Sequence, residues 1–312
     1  MTEMNRQKVQ PSLLERAAEV YDFASFTRKD GARPIEREPR IAPPAESTEP
    51  AADAVVTPPV AAPRTKLGRV ARIDRDLLAE RNLLVPGAPV GALAEEFRLV
   101  KRQLLVTAAT IRATDPDRAR TILVCSAQPA EGKTYCAVNL ALSMAAEREM
   151  EILLVDGDFP KPDAMARLGL EEGPGLLDAL ADPRLDVEDF VVPTDVPQLS
   201  VLPAGTKTIG DTELLASGRT PQVIERLLAA DPRRMIIFDS PPALAASPAS
   251  VFAMYVGQVM MVVRADRTTE GDLREGVGQL ARCPHIQLLL NSVTLNPGRR
   301  RFGTYYVQED GK

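Results

Sequence analysis

Short aliphatic runs alternate with amphipathic segments along most of the chain. Runs near 121–125, 152–156, 199–202, 235–239, 258–264 and 286–291 are continuous in Val, Ile, Leu and Met, as expected of strands buried on both faces. Between them apolar residues recur at helical spacing near 134–147, 162–168, 174–181, 213–229, 247–254 and 270–281. Such alternation predicts an α/β fold, with a doubly wound, mostly parallel β-sheet flanked by helices and joined by right-handed crossovers. A further helix is expected over 90–112, preceded by a short arm, IDRDLLAERNLLVPG. No internal repeat is evident.

The first 69 residues read differently. Residues 11–25 can form a short amphipathic helix with Leu13, Leu14, Ala17, Ala18 and Tyr21 on one side; the alternative is an isolated helix too short to persist. From Arg28 to about Arg69 the chain is rich in Pro, Ala, Glu and Arg. It cannot bury enough apolar surface to offset its ordering entropy. The expected organisation is a candidate helix in 1–26, a disordered linker over 27–69, a catalytic domain over 70–298 and a polar tail over 299–312.

Composition narrows the classes. With 312 residues the catalytic part can hold a substantial core, and a net charge of −5 gives no global sign of nucleic-acid binding. Three cysteines (Cys125, Cys136, Cys283) without CxxC spacing fit a reduced protein with structural thiols. The one histidine, His285, leaves little from which to build a histidine-dependent triad or zinc site. No signal-peptide-type segment opens the chain. The uncharged stretch Ser240–Val263 is long enough for a membrane span, but Pro241, Pro242 and Pro248 favour strand end, loop, helix and strand. A cytoplasmic protein without a transmembrane helix is expected.

The candidate chemistry starts at residues 121–142, TILVCSAQPAEGKTYCAVNLAL. A strand, a loop ending in Gly132-Lys133-Thr134 and a helix have the layout of a P-loop. Its N–H groups converge on phosphate and its helix dipole favours anions. The loop Gln128, Pro129, Ala130, Glu131, Gly132, Lys133, Thr134, Tyr135 is the candidate nucleotide cradle. Lys133 is suited to the β- and γ-phosphates and the Thr134 hydroxyl to Mg²⁺. The competing reading is a chance Gly-Lys-Thr, since Ala127 stands at the pattern's first glycine. Two more strands end in acid, EILLVDGDFPKPD at Asp156 and Asp158 and RMIIFDSPP at Asp239. Strand C-termini in a parallel sheet share one edge. There, carboxylates beside a phosphate cradle are what Mg²⁺ binding and activation of a hydroxyl nucleophile require.

The trio SAQPAEGKT, ILLVDGDFPKP and MIIFDSPP resembles the Walker A, Walker A′ and Walker B motifs of the bacterial tyrosine kinases, P-loop autokinases of exopolysaccharide and capsule export. Among these it looks most similar to those associated with exosortase-type loci. The resemblance covers about Val90 to the C-terminus. It implies catalytic roles for Lys133, Asp156, Asp158 and Asp239, with Thr134, Asp156 and Asp239 as Mg²⁺ ligands and ATP as co-substrate. Asp158 would orient Mg²⁺ or take the tyrosine proton. Asn291 would meet the adenine edge and Arg264 the base or ribose. Tyr305 and Tyr306, in the tail RRRFGTYYVQEDGK, would be autophosphorylation sites served by a neighbouring subunit. Glu95, Arg98 and Lys101 match a helix motif that mediates ring-like oligomers; the family has Arg at the third position, and Lys loses the bidentate fork. The family acts with an inner-membrane chain-length determinant as activator, which implies a peripheral association with that membrane.

Four departures from the family bear on activity. Ala130 stands where relatives carry glycine, so a positive φ would be strained there. Tyr135 replaces a small hydroxyl residue and would either crowd the α-phosphate or pack outward. Pro160, followed by Lys161, replaces an arginine. The tail has two tyrosines where relatives carry more. A ParA/MinD-type positioning ATPase is the first alternative, but its second P-loop lysine is Gln128 here. A nucleotide-binding scaffold with little kinase activity is the second.

Overall fold

The computed structural model describes residues 70–293; the candidate helix at 11–25, the linker and the tail tyrosines lie outside the described residues. Seven strands form one sheet: β1 Thr121–Ser126, β2 Glu151–Asp156, β3 Val192–Pro193, β4 Leu199–Leu202, β5 Arg234–Asp239, β6 Gln258–Arg264 and β7 Ile286–Asn291. Their order is β3-β4-β2-β5-β1-β6-β7, and every pair is parallel except β3 with β4. Six strands stand where the aliphatic runs predict them. β3 has two residues and no such run, and it forms by antiparallel register with β4 at the sheet edge, where a proline is tolerated.

Each central strand is buried on both faces, which explains its unbroken apolar run. In β1, Ile122 and Val124 point into one core layer and Leu123 and Cys125 into the other. The first layer is covered by α1 Arg75–Glu80, α2 Ala92–Arg112, α3 Lys133–Met144 and α4 Ala164–Leu168. On the opposite face lie α5 Leu176–Ala181, α6 Asp211–Leu215, α7 Arg219–Ala230, α8 Pro248–Phe252 and α9 Glu270–Gln279. Each fully buried Leu, Ile or Phe contributes about 1.5–3 kcal/mol. The single helix expected over 213–229 is two helices. Ser217-Gly218 interrupts it, with Gly218 as N-cap of α7 and the Thr220 hydroxyl donating back to the Leu215 carbonyl.

Three features place the site. From β1 the chain crosses to β2 on one side with α3 on one face, and β5 crosses to β6 on the other side with α8 on the opposite face. The end of β1 is therefore a topological switch point, where ligands bind in open α/β sheets. β2 and β5 run in register so that Asp156 pairs with Asp239. Gly157 then turns the chain so closely over β5 that its N–H donates to the Asp239 carbonyl at 2.7 Å. A Cβ there would lie 2.8 Å from that carbonyl oxygen and 2.8 Å from the Phe252 ring. Gly157→Ala is expected to lower stability by about 2 kcal/mol through overpacking, read as a lower denaturant midpoint at unchanged m-value.

All three cysteines are buried and free, and burial pushes the Cys136 thiol up to about 12. No described helix is long and apolar enough to cross a membrane; Ser240–Val263 is loop, α8 and β6.

Candidate active site

The loop after β1, the loop after β2 and the Pro241-Pro242 segment after β5 enclose a cleft of about 370 Å³. Lys133, Thr134 and Asp158 line it, with Lys161 and Arg167 at its rim. Gly132, at φ 96°, opens α3 and brings no side-chain cap. The first-turn N–H groups of α3 thus face the cleft without a side-chain acceptor, which is the arrangement that favours an anion.

Four of the expected catalytic groups meet here. Lys133 is ion-paired with Asp158, its ammonium also lying 3.4 Å from the Thr134 hydroxyl. Asp156 accepts the N–H groups of Asp158, Asp163 and Ala164 at 3.2, 3.0 and 2.9 Å, so it ties the loop after β2 to the start of α4. Burial pushes its carboxyl up to about 6 against those three N–H groups, and nearby Asp158 adds to the rise. Asp239 is fully buried, and neither carboxylate oxygen has a hydrogen-bond partner. Burial lifts it to about 7; the Lys133 ammonium opposes that rise, Asp156 and Asp158 add to it, and the Thr134 hydroxyl lowers it by proximity without closing a bond of good geometry. Two orphaned buried acceptors need an explanation. A divalent cation bound with phosphate oxygens fits them. Among the described residues no group of three or more His, Cys, Asp or Glu could hold a metal alone.

The phosphate loop is held from inside and from one side. The Ser126 hydroxyl donates to the Gln128 carbonyl at 2.8 Å, and buried Glu131 accepts the Gln128 N–H at 2.9 Å. The anticipated positive φ at Ala130 is present, at 63°. The left-handed region costs an L-residue about 1–2 kcal/mol, partly offset in a glycine variant by the freer unfolded chain. Ala130→Gly is therefore expected to stabilise the protein by roughly 0.5–1 kcal/mol, measured by chemical denaturation.

Other expected site residues have definite placements. Asn291 donates to the Glu131 carbonyl at 2.9 Å and accepts the Ser292 N–H at 2.8 Å, so its carboxamide joins β7 to the loop. Arg264 pairs with Asp266 and donates to the Ala130 carbonyl at 3.3 Å. Tyr135 turns away from the loop: its hydroxyl donates to the Asn82 carbonyl at 2.8 Å and its ring packs on the core beneath the arm. Beside Pro160, the Lys207 ammonium donates to the Pro160 carbonyl at 2.8 Å, bringing a cation to the rim from the loop after β4. On α2, Glu95 and Arg98 pair with each other near the surface. Lys101 is buried instead, bonded to Glu147 at 2.5 Å and to the Ser143 carbonyl at 3.2 Å. Thr268 and Asp272, which brace the loop from the β6–α9 connection, do not stand out among the site residues read from sequence. Their only local signal is the Thr269-x-x-Asp272 capping box that starts α9.

A switch-point sheet with this loop and these strand-end acids defines a P-loop NTPase. Residues 119–286 match the AAA domain family. The kinase domain of VpsO is similar in structure, at 30% identity and TM-score 0.51, over 63% of this chain and 98% of that one. The tyrosine-protein kinase YwqD of Bacillus subtilis is 27% identical over 213 residues, 68% of this chain and 85% of that protein. The chain spans 23% of the length of EpsB of Ralstonia nicotianae, to which it is 32% identical over 178 residues, 56% of its own length. The chain belongs to the AAA domain family, and it is similar to bacterial tyrosine-protein kinases.

Proposed function

We propose that the chain is an ATP-dependent protein tyrosine autokinase whose targets are Tyr305 and Tyr306 of a neighbouring copy. The observation that carries this reading is the Lys133–Asp158 pair beside uncapped N–H groups and an orphaned Asp239. The backbone of 128–134 and Lys133 would hold the β- and γ-phosphates, with Thr134, Asp239 and Asp156 around Mg²⁺. Asn291 and Arg264 end strands on the opposite side of β1 from Asp156 and Asp239, the side left for the base. Bound Mg·ATP supplies the electrophilic γ-phosphoryl group and neutralises charge on its oxygens. Asp158 is held by Lys133 until a phosphate competes for that ammonium. The freed carboxylate would then accept the proton of the attacking tyrosine hydroxyl, whose oxygen takes the γ-phosphoryl group as ADP leaves.

The family resemblance supports a role in exopolysaccharide export with an inner-membrane chain-length determinant. A half-buried Glu95–Arg98 pair and exposed Arg102 on α2 leave charged groups for a contact between copies, while Lys101 is engaged within its own chain. Transfer between copies is tested by mixing Lys133→Ala protein, tail intact, with Tyr305→Phe/Tyr306→Phe protein, site intact, under Mg·ATP. Phosphotyrosine on the Lys133→Ala copy is expected. If wild type is phosphorylated and the mixture is not, transfer within one chain replaces this reading.

A further inference from the structure

Ala130 holds a left-handed backbone in the middle of the loop that would wrap phosphate. Such a residue persists only where its surroundings over-determine it. Here three ties come from a single stretch, the connection between β6 and α9. Arg264 donates to the Ala130 carbonyl at 3.3 Å. The Gln128 side chain donates to Asp272 at 2.9 Å. Glu131, 1% exposed, accepts the Gln128 N–H on one carboxylate oxygen and the Thr268 hydroxyl on the other.

Thr268 is the joint in this arrangement. Its hydroxyl has one proton, donated to Glu131, and it accepts the Arg264 N–H at 2.8 Å. One side chain thus couples the end of β6 to the buried carboxylate, which closes the loop from Gln128 to Glu131 across Ala130. A Val at 268 keeps the shape and loses both bonds.

We infer that Thr268, acting through Glu131, is a positioning residue that holds Ala130 in its left-handed conformation and keeps the phosphate loop ordered before nucleotide binds. The effect on affinity rests on the reading of this loop as a nucleotide cradle; the effect on loop order does not.

The test uses the full chain as wild type, Thr268→Val, Thr268→Ser, Ala130→Gly and the Ala130→Gly/Thr268→Val double variant. Hydrogen exchange of the Gln128 and Glu131 amides is followed without nucleotide, and Mg·ADP affinity is titrated separately. Thr268→Val should speed exchange and weaken Mg·ADP, each on the order of tenfold, as expected for losing a buried hydrogen bond to a charged group. Thr268→Ser should restore both. In the Ala130→Gly background, where glycine needs no brace, the penalty of Thr268→Val should fall below about threefold, a coupling that a merely structural threonine would not show. Unchanged exchange in Thr268→Val, or an equal penalty in both backgrounds, would overturn the inference. Should Thr268→Val not fold, Glu131→Gln is put through the same two measurements with the same criteria. A wild type that fails to bind Mg·ADP would count against the nucleotide reading, while the exchange arm would still decide the brace.

Discussion

Lys133→Ala is expected to lower tail phosphorylation by on the order of 10³, the scale of losing one preorganised charge at a developing anion. The same change strands Asp158, a buried carboxylate that loses its ion-pair partner. Breaking a buried pair from one side costs about 3–5 kcal/mol in general. Lys133→Ala alone therefore mixes a catalytic loss with a loss of stability. Lys133→Ala/Asp158→Asn isolates the stability part, since the amide needs no counter-charge, while it removes both groups placed in transfer. The double variant should regain most of the thermal stability and none of the phosphotyrosine. Recovery of phosphotyrosine with stability would show that neither the Lys133 ammonium nor the Asp158 carboxylate takes part in transfer.

Asp239→Asn should do the opposite on stability, raising it while abolishing Mg²⁺-dependent transfer. The Asp239 carboxyl titrates near 7 in the folded protein against an ordinary value of 3.8, because it is buried without hydrogen-bond partners. Between those values the folded state binds more protons than the unfolded one. Stability contributed by this group is therefore greatest at low pH and falls as pH rises toward 7. The whole span corresponds to on the order of 4 kcal/mol. Asp156, raised to about 6 and coupled to Asp239, contributes with the same sign over a narrower window. Nucleotide-free protein should therefore melt lower at pH 8 than at pH 5.5 through these groups. Asn at 239 should flatten that slope and raise the midpoint at pH 8 by on the order of 10 °C. Thermal scans across pH check it; a slope as steep in Asp239→Asn as in wild type would show that this carboxylate is not its source.

This conflict between stability and function was open to reading in the sequence only in part. Asp156, Asp158 and Asp239 are legible because each follows an aliphatic run, and strand ends in a parallel sheet share an edge. Their protonation is not legible, since it depends on how deeply the Pro241-Pro242 segment and the loop after β2 cover them. Ala130 is legible as a strained position because the family it resembles carries glycine there. Its brace is not, because Thr268 and Asp272 arrive from more than a hundred residues away and touch the loop only through the β1–β6 pairing.

Lys101 shows a different failure. Glu95, Arg98 and Lys101 at spacings of three read as one charged face. On a helix of 3.6 residues per turn, each such step falls short of a full turn by about 60°. By Lys101 the series has drifted onto the stripe Phe97, Leu104, Ala108 and Ile111, where it is buried. β3 was beyond reach for another reason. Two residues, one of them proline, carry no periodicity, and only pairing with β4 makes them a strand.

Movement of phosphate from ATP to a tail tyrosine is the proposed work of this cleft. It is tested most directly by intact-mass and phosphopeptide analysis of purified protein incubated with Mg·ATP, beside Lys133→Ala and Tyr305→Phe/Tyr306→Phe. Phosphate on the peptide carrying Tyr305 and Tyr306, absent from both variants, is the predicted result. Nucleotide binding with an unmodified tail, even after addition of a chain-length determinant's cytoplasmic segment, would contradict it and make the protein a nucleotide-dependent scaffold.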